Sequence, residues 1–383
     1  MSKTEEPTMN LRTQVKMDKI VKQEKMYPSE LRDHSGPVNR VILNRQNTLF
    51  ASCSNDSIIN VYNAITFELI NQFKTEKEAV KHIAFTDKGD KLIASTLLDP
   101  WYIFDIFEYQ ENQEPFKFVN QALKISDFSL SYGDKYLAFV YQSFNTSDKD
   151  AKSINKIVVY DFEELLKRQK ADDSGMTDFK KCLVESYVLD APKGVKFMNI
   201  EFFYKEDIFY VSDFKNNVYK YQLKKDGKIE QVNMKAMPDV GFINSLTFSP
   251  KYELLMVNCQ NGLVMLDPES LTEFRNFRTK HPVLCAQISP LLYSINPKYH
   301  VIFAGGIAAR DQALAAEGGN EIFVYNFAIG SKITELSGCF GNINWLSVFK
   351  DGSGFLTAGE EAIVRIYRFD KSYYEKQVDT KED

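Results

Sequence analysis

Val38-Asn39-Arg40-Val41-Ile42-Leu43, then Leu49-Phe50-Ala51-Ser52-Cys53, then Asn55-Asp56 and Ile59-Asn60-Val61-Tyr62-Asn63, is the stretch on which the fold turns. It reads as an apolar entry strand, a strand of small residues, a polar turn and an apolar-aromatic close ending in Asn. The runs are short and rich in Val, Ile, Phe and Tyr, with turn formers between them, which is the signature of β-strands. The same unit returns six more times, at 80–85, 91–95 and 102–105; 125–128, 136–140 and 157–161; 197–202, 208–212 and 218–221; 243–248, 254–258 and 264–267; 283–288, 300–304 and 322–326; and 343–348, 354–358 and 364–368. Val38 and Val80 stand 42 residues apart, Ile243 and Val283 40. A period near 40 with three or four strands per unit predicts the blades of a β-propeller.

Seven copies predict an all-β fold: a single seven-bladed WD40 β-propeller in which each four-stranded blade buries both faces against its neighbours. The Trp-Asp pair of the standard repeat is degenerate: Tyr62, Phe104, Tyr160, Leu266, Tyr325 and Tyr367 fill the tryptophan slot, followed by Asn63, Asp105, Asp161, Asp267, Asn326 and Arg368. Ring closure needs a strand from the far end of the chain, and Met26-Tyr27-Pro28-Ser29-Glu30-Leu31-Arg32 is the candidate outer strand of blade seven. The expected organisation is a flexible N-terminal arm over 1–25, the propeller over 26–370 and a C-terminal tail over 371–383. Polar, Gly-rich or charged insertions at about 143–156, 162–181 and 307–320 read as solvated loops rather than domains, the second containing the helix-like run Glu163-Glu164-Leu165-Leu166-Lys167.

Composition narrows the function classes. The 383 residues are 44% hydrophobic, enough for a large core, and the net charge of −5 argues against a polyanion binder driven by bulk electrostatics. No run approaches the length of a membrane span, and 1–25 has no apolar stretch of the kind a secretory signal needs. Cys53, Cys182, Cys259, Cys285 and Cys339 are odd in number and set in apolar contexts, so they read as free thiols of a reducing, cytoplasmic compartment. His34, His82, His281 and His300 share no ligand spacing, and His34 and His82 fall at blade entries, where a structural hydrogen-bond role is expected. Asp351-Gly352-Ser353-Gly354 lies in a hairpin turn rather than a nucleophile elbow, and Gly305-Gly306 and Gly318-Gly319 lack the lysine of a phosphate loop. No catalytic, cofactor or metal set is expected. Lys220, Lys224, Lys225 and Lys228 are interrupted by Asp226 and Glu230, which reads as a solvated turn, so no direct nucleic-acid site is predicted. A propeller without chemistry is by default a scaffold.

The last third carries a more specific pattern. Asp267-Pro268-Glu269-Ser270-Leu271-Thr272-Glu273, Phe277-Arg278-Thr279-Lys280-His281-Pro282-Val283, Ala304-Gly305-Gly306-Ile307, Phe340-Gly341-Asn342-Ile343-Asn344, Val364-Arg365-Ile366 and Phe369-Asp370-Lys371-Ser372-Tyr373-Tyr374-Glu375 together resemble the i subunit of eukaryotic translation initiation factor three. The resemblance implies a non-catalytic scaffold subunit that supports preinitiation-complex assembly on the small ribosomal subunit, scanning and start-codon selection. It also implies two partner subunits: b, through a C-terminal helix docked near blades five and six, and g. Met265 and Asp267 match the family pair that holds this helix, although Asp267 is equally the ordinary closing Asp of its repeat. Two positions depart from the family. Lys251, after Ser249-Pro250, stands where the family has a carboxylate, and Ile307 stands where it has Gln. The competing readings are a WD40 adaptor of another intracellular complex and, more remotely, a propeller enzyme.

Overall fold

In the computed structural model, residues 29–76, 78–96, 100–107, 116–118, 123–143, 154–171, 185–205, 207–249, 251–289, 300–307 and 319–369 are described. The arm 1–25, the tail 371–383, Cys182 and most of the insertions lie outside them. The strands form seven four-stranded antiparallel sheets, each a blade made of consecutive strands, with one exception. In blade seven, Ser29–Leu31 pairs with Val364–Arg368, so the chain's start supplies the outer strand and the ring is closed as expected.

Each blade packs its two faces on its neighbours, and the core is therefore a circle of interblade clusters rather than one centre. Phe50 and Tyr62 of blade one stack at 4.8 Å in the cluster that also holds Leu356 and Ile366 of blade seven. Trp101 and Phe118 of blade two stack at 4.0 Å against Phe139 and Tyr160 of blade three. The aromatic close recognised in the sequence is thus the material of these joints: Tyr62, Phe104, Tyr160, Leu266 and Tyr367 are all buried. Gly262 opens the third strand of blade five at φ 137°, where a Cβ would run into the Phe277 carbonyl oxygen. Only glycine tolerates that approach.

Polar side chains on the inner strands tie each blade to the next. Asn39 donates to Val80 O (2.6 Å), Asn244 to Val283 O (2.9 Å) and Asn344 to Val38 O (2.9 Å), the same register in three blades. The last of these spans 306 residues and helps close the ring. Ser129 accepts from Phe202 N, Thr247 donates to Ala286 O, Gln287 accepts from Val348 N and Ser347 donates to Val41 O.

The helix-like run at the start of 162–181 is a helix, Phe162–Ala171. Asp161 Oδ1 accepts from Glu164 N at 2.9 Å, an N-cap, and Phe162 and Leu165 are buried in the blade-three cluster. The helix forms because its first turn has a cap and an apolar face to bury. No helix among the described residues is long and apolar enough to cross a membrane.

Candidate functional site

The antiparallel order divides the loops between two ends of the ring. The turns after each inner strand and after each third strand share one end, here the return face. The turns after each second strand and after each outer strand share the other, the entry face. Lys251 and Asp267 lie on the return face at blade five, whereas Ile307 lies on the entry face at blade six. The structure therefore does not bring the four sequence-selected residues into one site.

Met265 is the clearest departure. It is fully buried among Leu263, Phe277 and Phe303 and has no surface to offer a partner. The third strand of blade five, Gly262–Leu266, is buried on both faces, so a residue two before its closing Asp lies in the interior. Asp267 is half-buried and holds its own turn: Oδ1 accepts from Ser270 N and Ser270 Oγ, each at 2.7 Å, and these Ser270 hydrogen bonds keep its carboxyl below the usual range. The closing-Asp role is thus occupied, while the charge remains near the surface. Lys251 is exposed, with its amine 5.8 Å from the Tyr252 ring centroid. Ile307 N donates to Asn320 Oδ1 across the base of the blade-six insertion.

Sequence reading missed the apolar wall beside Asp267. Phe274, on the outer strand Glu273–Arg278 of blade five, is 52% exposed and stacks on Phe327 of blade six at 5.6 Å. Phe327 in turn packs against Tyr252 at 5.9 Å. Ile329 (54% exposed) extends the patch on blade six, and Val232 and Met234 are exposed on the outer strand of blade four. Arg275 clamps the two blades by donating to Ala328 O at 3.0 Å. Glu269, paired with Lys205 and Lys220, borders the wall on the blade-four side. An exposed aromatic patch crossing a blade joint and rimmed by charges has the makeup of a protein-binding surface.

The central channel opens on the return face as a cavity of about 810 Å³. Arg40 crosses it, its guanidinium 4.2 Å from the Trp345 ring and 3.1 Å from Asp127 Oδ1. His82 Nδ1 is 3.2 Å from the same carboxylate oxygen, and burial holds His82 well below its usual value. Glu201 accepts from Phe248 N at 3.3 Å, and burial, reinforced by Asp127, pushes its carboxyl up to about 8. These groups belong to the interblade ties. Among the described residues no His, Cys, Asp and Glu cluster has the makeup of a metal site.

His34 has the structural role expected of it. Its Nδ1 is 3.0 Å from Asp56 Oδ2 and its Nε2 2.8 Å from Ser52 Oγ, while Tyr62 OH donates to Asp33. Cys53 and Cys259 are free and buried, and burial pushes both thiols up to about 12. Phe340 of the terminal motif is exposed on the entry face; behind it Ile343 packs in the blade six–seven cluster and Asn344 helps close the ring.

Comparison with known proteins agrees with this architecture. The family described as WD domain, G-beta repeat matches residues 27–63, the segment that contains the His34–Ser52–Asp56 network. The chain is 24% identical over 364 residues to "Eukaryotic translation initiation factor 3 subunit I" of Vanderwaltozyma polyspora, covering 92% of this chain and 95% of that one. The protein of the same name from Brugia malayi is 24% identical over 91% of this chain and 98% of its own, and that from Candida glabrata 22% identical over 93% and 98%. Along nine-tenths of its length the chain is a divergent relative of these proteins.

Proposed function

We propose that this propeller is the i-type scaffold subunit of a translation initiation factor 3 complex, acting in the cytoplasm without chemistry of its own. The observation that carries the reading is the similarity to subunit I proteins over almost the full length of both chains. In this reading the wall at blades five and six receives the C-terminal helix of a b-type subunit. Phe274, Phe327 and Ile329 supply the apolar contact, and Asp267 supplies a carboxylate for an Arg or Lys of the helix. Phe274 and Phe327 take the part first assigned to Met265. Lys251 reverses a charge at the end of the same wall, so the helix that fits here carries an acidic residue opposite it. A g-type subunit joins the module, and the assembly serves small-subunit preinitiation complexes, scanning and start-codon selection. Ile307, on the other face, is not part of the helix site and remains available to a second partner.

The test is a tagged pull-down from lysate, separated on a sucrose gradient and read by mass spectrometry. Recovery of b- and g-type subunits in small-ribosomal-subunit fractions is expected. Recovery of a different stable complex instead would overturn the proposal and leave a WD40 adaptor.

A further inference from the structure

Blade four carries three exposed lysines on the entry face: Lys193 and Lys196 on the loop into the blade and Lys215 on the turn 214–216, with half-buried Lys235 near the end of its outer strand. Among the described residues these four are in no ion pair. Lys215 Nζ sits 3.6 Å from the place a Cβ would take on Gly194, so the loop and turn lysines share one patch. Some other cations of this face are answered: Arg32 and Arg365 pair with Glu30, and Lys117 pairs with Glu76. Asp213, the acid closest in sequence, is buried. Its two oxygens accept from Lys215 N, Asn217 N, Asn217 Nδ2 and Tyr219 OH, which leaves Asp190 and Asp239 as the exposed acids of these loops.

An aromatic pair lies within the patch. Phe214 is 60% exposed and meets Phe242 edge to face, with centroids 5.9 Å apart, so it buries little of its ring. An exposed phenylalanine beside Lys215 is costly on a bare surface and useful on one that stacks a base. The lysines are point charges on separate loop tips rather than forks around one pocket. That arrangement suits a run of phosphates better than one carboxylate. We infer that the entry face at blade four is a contact site for single-stranded RNA, with Phe214 stacking a base and Lys193, Lys196 and Lys215 facing successive phosphates. The site is independent of the wall proposed for a partner helix.

The experiment uses the full chain and a fluorescein-labelled uridine dodecamer, read by fluorescence anisotropy between 50 and 200 mM salt. Saturable, salt-dependent binding is expected. The triple variant Lys193→Gln, Lys196→Gln, Lys215→Gln is expected to lower the slope of log K against log [salt] by about 2, since each phosphate contact on a single strand contributes about 0.7. Phe214→Ala is expected to weaken binding by roughly five- to a hundredfold. The control Lys224→Gln, Lys225→Gln, Lys228→Gln, at the other end of blade four, should bind as the parent does. No saturable binding, or equal binding by the parent and both blade-four entry variants, would overturn the assignment. So would displacement of the RNA by a polyglutamate dodecamer at matching concentration, which would mark the patch as a surface for acidic protein segments.

Discussion

Replacing Glu201 by Gln is expected to make the propeller more stable above neutral pH and to leave it nearly unchanged near pH 5. Glu201 sits in the channel wall with Asp127 nearby, and burial raises its carboxyl from the ordinary 4.5 to about 8. Between these two values the unfolded chain has released a proton that the folded chain still holds. Stability therefore falls as pH rises through that window, by at most about 1.4 kcal/mol per pH unit. Over the whole window the ceiling is about 5 kcal/mol, and water in the open channel reduces it, leaving about 1–3 kcal/mol as the expected difference at pH 8. Gln keeps the local geometry: its Oε1 accepts from Phe248 N as Oε1 of Glu201 does, and its amide faces Ser129 Oγ, now 3.5 Å from the carboxylate. For a chain of this size 1 kcal/mol moves the melting temperature by about 1–2 °C. The assay is differential scanning fluorimetry of both proteins from pH 5 to pH 8.5, reading the difference in Tm, in which the other titrating groups cancel. A difference that is flat with pH, or that favours Glu201 at pH 8, would refute the account of the channel as a desolvating site.

Three further outcomes follow from the geometry. His34→Ala leaves Asp56 and Ser52 without their shared partner and is expected to cost about 2–4 kcal/mol, measured by chemical denaturation. Burial holds His34 below 6.5, so the unfolded chain takes up the proton first and parent stability falls as pH drops through that value; the alanine variant should lose this component. Asn344→Asp cannot donate to Val38 O and is expected to cost about 1–3 kcal/mol, whereas Lys332→Ala, an exposed surface change, should fall within about 0.5 kcal/mol. Phe274→Asp is expected to weaken binding of the b-type C-terminal helix by about 2–4 kcal/mol in calorimetry, and Asp267→Asn, which keeps the Oδ1 acceptor of its turn, by about 1–3 kcal/mol; unchanged affinity with an intact fold would remove the wall from the interface.

The ring was legible because each blade writes the same physical demand into the chain. Asn39, Asn244 and Asn344 recur because a donor one residue into the entry strand reaches the first carbonyl of the next blade. Tyr62 and Tyr160 recur because each joint needs a large planar side chain. The helix Phe162–Ala171 was also legible as the helix-like run Glu163–Lys167, with Asp161 three residues before Glu164 as its cap and Phe162 and Leu165 spaced for one face. The wall was not legible. Phe274 and Phe327 are 53 residues apart and meet only because an outer strand and a neighbouring turn fall on the same end of adjacent blades. Met265 misled for the converse reason: its sequence position marks the third strand of blade five, and that strand is interior on both faces.

The two proposed surfaces can be tested without confounding each other, and the reason lies in the blade. Blade five's inner strand, Ile243–Ser249, is 7 residues long, so entry and return faces are separated by about 20 Å at the usual strand rise. The RNA patch and the helix wall share no side chain, no ion pair and no core cluster: Phe214 and Phe242 contact neither Phe274 nor Phe327. Substitutions that far apart with no common partner add in free energy to within about 0.5 kcal/mol. A variant carrying both Phe214→Ala and Phe274→Asp should therefore lose RNA and helix binding by the sum of the separate amounts. Any larger coupling would mean that the ring transmits strain between its faces, and the interblade belt through Asp127, Glu201, Thr247 and Gln287 would be the element to examine, since it runs continuously from blade three to blade seven.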